Sequence, residues 1–196
     1  MLELMLAVEA GYVGVPTFLA GLTLTAAAAG DHALAIALLD RQGVEGFQDI
    51  RRDAEWLPVI GFLSHACAMA GSTRHAPVLR ELLESSTATG VRIGPVAAWW
   101  GPIDHHLGAL HHLEGSLDAA QRHLEAALAT EVAMGALPFH ARSTWALADV
   151  LETRGDRTDL ARIGVLRGDA QASAHRLGAP GLLVSGPSRP ATTSGG

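Results

Sequence analysis

Residues 107–128 read LGALHHLEGSLDAAQRHLEAAL. Within this stretch Leu107 stands eight residues before Gly115, Gly108 seven before it, and Ala120 five after it. The same offsets recur outward along the chain. Gly30, Gly71, Gly115 and Gly155 lie 41, 44 and 40 residues apart. The leucine position is filled by Leu22, Leu63, Leu107 and Leu147, and the small position by Thr23, Ser64, Gly108 and Ala148. Ala35, Ala76 and Ala120 take the third position, and the fourth unit has Leu160 there with Ala161 one step later. A repeat of this period implies stacked supersecondary units, none of which can bury its apolar face alone.

Each glycine separates two segments with helical apolar periodicity. The expected pairs are 16–29 with 31–39, 54–70 with 73–84, 102–113 with 116–134, and 138–154 with 158–177. A glycine just past a helix relieves the left-handed position there. Asp31, Ser72, Ser116 and Asp156 follow at once as candidate caps for the next helix. Pro77 costs no hydrogen bond in a first turn, whose amides lack intrahelical partners. No strand is expected. The linkers GVEGFQDIRRD (43–53) and SSTATGVRIGPVAAWW (85–100) exceed simple turns, and the second has room for irregular structure. The expected organisation is an N-terminal cap or helix end over 1–14, a repeat domain over 15–180, and a disordered Ser/Pro/Thr/Gly-rich tail over 181–196. The fold class is all-α, an α-solenoid of about four helix hairpins.

Composition narrows the functions. Ala and Leu dominate, with few β-branched or aromatic residues, which favours helix. All fourteen basic residues are arginine. Without lysine there is neither a Gly-Lys-Ser/Thr phosphate loop nor Schiff-base chemistry. The net charge is −6 and the arginines are scattered apart from Arg51-Arg52, so the footprint for direct nucleic-acid binding is missing. The single cysteine, Cys67, leaves no internal disulfide or cysteine-rich zinc site and reads as a buried inert thiol. Residues 11–30, GYVGVPTFLAGLTLTAAAAG, are uncharged and long enough to span a bilayer. They are rich in Gly and Thr, flanked by Glu3, Glu9 and Asp31, and lack basic neighbours, so they read as the first helix of a pair in a cytoplasmic protein.

The stretch 107–128 resembles a tetratricopeptide repeat. Leu107, Gly108, His111, Gly115, Leu117, Ala120, Leu124 and Ala127 fall in that pattern, with His111 in place of a usual aromatic and Val132 in place of the closing proline. Gly108 would let the paired helices approach, and Ala120 would let the second helix nestle against the next unit. DAEWL (53–57), GPIDHHLGALHHLEGSLDAAQRHLEAAL (101–128) and GALPFHARSTWALADVLETRGD (135–156) are together similar to a wider group. It is the MalT-like helical region in the C-terminal part of large bacterial AAA or STAND ATPase regulators, including LuxR-type activators and ATPase-linked adenylate cyclases. The chain departs from that group in having no Walker motif, cyclase signature or helix-turn-helix. The resemblance implies a regulatory scaffold or a stand-alone relative.

In such stacks the first helix of each pair lines the concave groove. Carried over by position, the groove receives His65, His105, His112, Arg142, Trp145, Asp149 and Glu152, beside a smooth wall of Thr17, Ala20, Leu24 and Ala27. An aromatic, an arginine and polar groups together suit a recognition surface for a protein or peptide, an ATPase or transcription regulator in the family setting. The histidines of the 105–112 helix are poorly spaced for metal. His105 and His112 share a face but stand about 10 Å apart along the axis. Trp99, Trp100 and Trp56 read chiefly as core cover. No nucleophile elbow or paired carboxylates suggest catalysis, and no catalytic residue, cofactor or metal is assigned. Two other readings are a fragment without independent function and a helical small-molecule or metal-binding accessory protein.

Overall fold

The computed structural model describes residues 15–94 and 98–183. Eight α-helices and one small antiparallel sheet make up the described residues: α1 Pro16–Ala28, α2 His32–Gln42, α3 Trp56–Ala70, α4 Ala76–Glu84, β1 Gly90–Ile93, β2 Ala98–Pro102, α5 Ile103–Glu114, α6 Leu117–Met134, α7 Leu137–Arg154 and α8 Leu160–Arg176. Short 3₁₀ turns lie at Arg157–Asp159 and Pro180–Leu182. The expected cap over 1–14 and the tail beyond Leu183 lie outside the described residues.

The four repeat glycines make the turns within pairs, with φ of 80° at Gly30, 70° at Gly71, 82° at Gly115 and 72° at Gly155. A Cβ is disfavoured in that left-handed region, which is why glycine recurs there. The caps divide. Asp31 accepts from the Leu34 amide and Asp156 from the Thr158 amide. Ser116 sits at the N-cap of α6 without a side-chain bond. Ser72 instead bonds His75 Nδ1 at 2.7 Å, and α4 starts later, with Pro77 in its first turn.

The repeat positions are the core. Leu22, Leu63, Leu107 and Leu147 are buried, as are Thr23, Ser64, Gly108 and Ala148 and the alanines Ala35, Ala76 and Ala120. Helices pack on their chain neighbours, and α1 also packs on α3 and α3 on α5. At Gly108 a Cβ would lie 2.6 Å from Leu124 Cγ and 3.2 Å from the Ala120 carbonyl oxygen, so α5 and α6 meet where only glycine fits. Leu160 is an exception at 63% exposed, because among the described residues no further helix pair packs on the outer side of α8.

The expectation of no strand is corrected. Strands Gly90–Ile93 and Ala98–Pro102 pair antiparallel, with Val91 opposite Gly101 and Arg92 opposite Trp99. That register leaves Trp100 as the extra residue of a bulge. The run is four residues on one side, too short for periodicity to declare it, and docking fixes it instead. Buried Val91 seats on α3, where a Cβ on Gly61 would come within 3.0 Å of both Val91 methyls. No helix among the described residues is long and apolar enough to cross a membrane.

Candidate functional site

The bulge decides where the site lies. Trp100 packs edge-on to Phe62 at 5.2 Å and tilts against His65 at 6.0 Å, both in the middle of α3. From α7, Arg142 reaches back to β2 and donates through Nη2 to the Trp100 carbonyl at 3.2 Å. Its guanidinium lies 5.7 Å from the Trp100 ring centre and 5.1 Å from that of Phe139, a cation–π arrangement on two sides. Gly101, at φ 109°, makes room: a Cβ there would stand 2.9 Å from Arg142 Nη2.

Beside this cluster is a cleft of about 200 Å³. Leu24 and Ala28 of α1, His65 and Met69 of α3, Trp100 of β2, Arg142 of α7 and Gly181–Leu182 of the last turn line it. The first helix pair, the hairpin, the fourth pair and the C-terminal turn therefore all border one space. Three of its lining groups hold a buried nitrogen with no partner among the described residues: His65 Nδ1, Trp100 Nε1 and Arg142 Nε.

Behind it a polar relay is buried. Ser143 Oγ donates to Glu131 Oε1 at 2.7 Å, so the same oxygen accepts from His105 Nδ1, 2.8 Å away. Glu131 Oε2 has no partner among the described residues, and burial pushes this carboxyl up to about 7 despite its bond to Ser143 and the charge on Arg142. His105 and His106 are buried, with rings 5.4 Å apart. Burial first, then the Arg142 charge, holds His65 and His105 well below the ordinary histidine range and His106 at about 3. All three are neutral at physiological pH. Burial also pulls Arg142 down to about 10, still protonated at neutrality.

The seven residues expected in one groove fall into separate places. His65 and Arg142 meet at the cleft, with His105 packed edge-on to His65 at 6.0 Å. His112 bonds Thr153 Oγ1 through Nε2 at 2.8 Å, away from the cleft lining. Trp145, Asp149 and Glu152 gather around Arg167 of α8. Its guanidinium lies 3.9 Å over the Trp145 ring and binds Asp149 and, at 2.7 Å, Glu152. Of the expected apolar wall, Leu24 lines the cleft, Ala20 and Ala27 are core, and Thr17 donates to Glu55. Sequence reasoning missed Trp100 as a cleft residue. It also missed Glu131, whose only signal is a lone carboxylate on an alanine-rich helix face.

No group of three or more His, Cys, Asp or Glu among the described residues is arranged to hold a metal ion. Cys67 is buried, donates to the Ser72 carbonyl at 3.2 Å, and is pushed up to about 12 by burial, the profile of an unreactive thiol. Among protein-family models, curated proteins and solved structures, none matches this chain.

Proposed function

We propose that this chain is a non-catalytic helical-repeat scaffold, a tetratricopeptide-like stack of four hairpins whose inner groove binds a ligand or a protein partner. In the setting implied by the resemblance, it is the regulatory region, or a stand-alone relative, of a bacterial ATPase-type transcriptional or signalling regulator working in the cytoplasm. One observation carries the reading: a cleft bordered at once by the first pair, the hairpin and the fourth pair, lined by an arginine and a tryptophan. An occupant there touches elements far apart in sequence. It favours whichever curvature of the stack fits it best, and so biases an attached or partnering domain.

The test is retention from native extract. Wild-type protein is compared with the triple variant His65→Ala, Trp100→Ala, Arg142→Ala, matched for helix content by circular dichroism, and bound proteins and small molecules are identified by mass spectrometry. The reading expects an identified species held by wild type and not by the variant. Identical profiles from both would overturn it.

A second reading has support on α8. Leu160 and Val165 are 63% and 62% exposed there, on the terminal helix of the described stack. Such a face suits a following repeat, as in a segment of a longer array. Cooperative two-state unfolding of the isolated monomer would count against that reading, and gradual melting from the α8 end would favour it.

A further inference from the structure

We infer that the cleft is a binding site for a small organic anion with one negative charge and an apolar body, a monocarboxylate in the first instance. This inference rests on the groove reading and names its ligand class.

The charge argument comes first. Arg142 lines the cleft, and among the described residues no carboxylate forms an ion pair with it, the Glu131 charge acting on it only through space. Its bonded partner is the neutral Trp100 carbonyl, and its Nε–H is buried with no acceptor. The neighbouring carboxylate, Glu131, is turned to Ser143. A desolvated cation with an unmet donor is a costly arrangement unless an anion completes it. Trp100, a residue of the same lining, carries a second buried donor, Nε1–H, without a partner among the described residues, and an indole can only donate. His65 Nδ1 is a third unmet nitrogen there, able to donate in one tautomer.

The number of charges and the walls set the class. Among the described residues Arg142 is the single charged group on the lining, and His65, His105 and His106 stay neutral. Glu131, whose charge acts on Arg142 through space, is bonded to Ser143 and is not on the lining, so a monovalent anion matches the single charge the cleft presents, whereas a phosphate would bring a second charge with no partner. Leu24, Ala28, Met69 and Leu182 supply the apolar part of the lining, which favours an apolar body. The guanidinium is held in advance by Phe139, the Gly101 gap and the Trp100 carbonyl, so little order is lost on binding.

The probes are 3-phenylpropionate and hexanoate, with 3-phenylpropionamide as the neutral isostere and inorganic phosphate as the small divalent control. Titration calorimetry and thermal shift are run on wild type, Arg142→Gln and Ala28→Phe. The expected result is saturable binding of both carboxylates, the amide and the phosphate weaker by about tenfold or more, and a loss of similar size in Arg142→Gln. Ala28→Phe, at an exposed position on α1, fills the apolar end and abolishes binding with the guanidinium intact. Equal binding of the amide, unchanged binding in either variant, or no saturable carboxylate binding up to millimolar concentration would overturn the inference. If carboxylates fail while the triple variant still loses an identified species from extract, the groove reading stands and only the anion assignment falls. If both fail, the groove reading falls with it.

Discussion

Glu131 and its histidine neighbours set the acid–base behaviour of the fold. Burial raises the Glu131 carboxyl to about 7 from an ordinary value of 4.5. Between those two values the folded protein holds a proton that the unfolded chain has released. This site therefore costs stability progressively as pH rises from 4.5 to about 7, and by a constant amount above. Glu131→Gln keeps an acceptor for Ser143 and removes the charge. It is expected to stabilise by about 1–2 kcal/mol at pH 8, a melting-temperature rise of several degrees, and to give little gain near pH 4.5. The histidines act oppositely. Neutral when folded, they charge in the unfolded chain below about pH 6.5, so stability drops as pH falls below that value. His106, buried with both ring nitrogens unpartnered, is the plainest case. His106→Leu should raise stability by about 1 kcal/mol at pH 7 and more at pH 5.5, read by urea unfolding at the two pH values. None of this polar cluster was legible as a unit, because Glu131, Ser143, His105 and His65 come from four helices or faces whose packing no spacing rule reveals.

At the scale of elements, the helix pairs were legible and the hairpin was not. Left-handed glycines, a buried leucine eight residues earlier and a small residue seven earlier are local patterns, and each fell where the offsets put it. The hairpin is fixed by tertiary docking of Val91 on Gly61, and the bulge that turns Trp100 to the cleft lies in the register of two strands, which no single strand shows. Two substitutions test these joints. Gly108→Ala drives a Cβ into Leu124 and should cost about 1–3 kcal/mol even after the gain in helix propensity. Pairing it with Leu124→Ala should lose less than the sum of the two singles in denaturant unfolding. At Gly155 a Cβ meets nothing within 4 Å, so Gly155→Ala should cost only the left-handed strain, about 1–2 kcal/mol.

Over the whole molecule, the register of first helices put seven residues in one groove, of which His65 and Arg142 line the cleft while Trp145, Asp149 and Glu152 meet Arg167. Arg167, from the last helix, gathers Trp145, Asp149 and Glu152, and the turn at Pro180–Leu182 borders the cleft. Both contributions come from the C-terminal end of the described chain, beyond what an internal repeat can foresee. Two sets of side chains are therefore distinct: the proposed ligand cleft at Trp100 and Arg142, and the cluster of Trp145, Asp149 and Glu152 around Arg167. Nitrogen-15 NMR of the tryptophan indole and arginine Nε–H signals, followed through a titration with 3-phenylpropionate, distinguishes them in one experiment. The account predicts saturable shifts of the Trp100 indole and Arg142 Nε–H signals with those of Trp145 and Arg167 almost unmoved. Shifts centred on Trp145 and Arg167, or no saturable shift at Trp100 and Arg142, would contradict it.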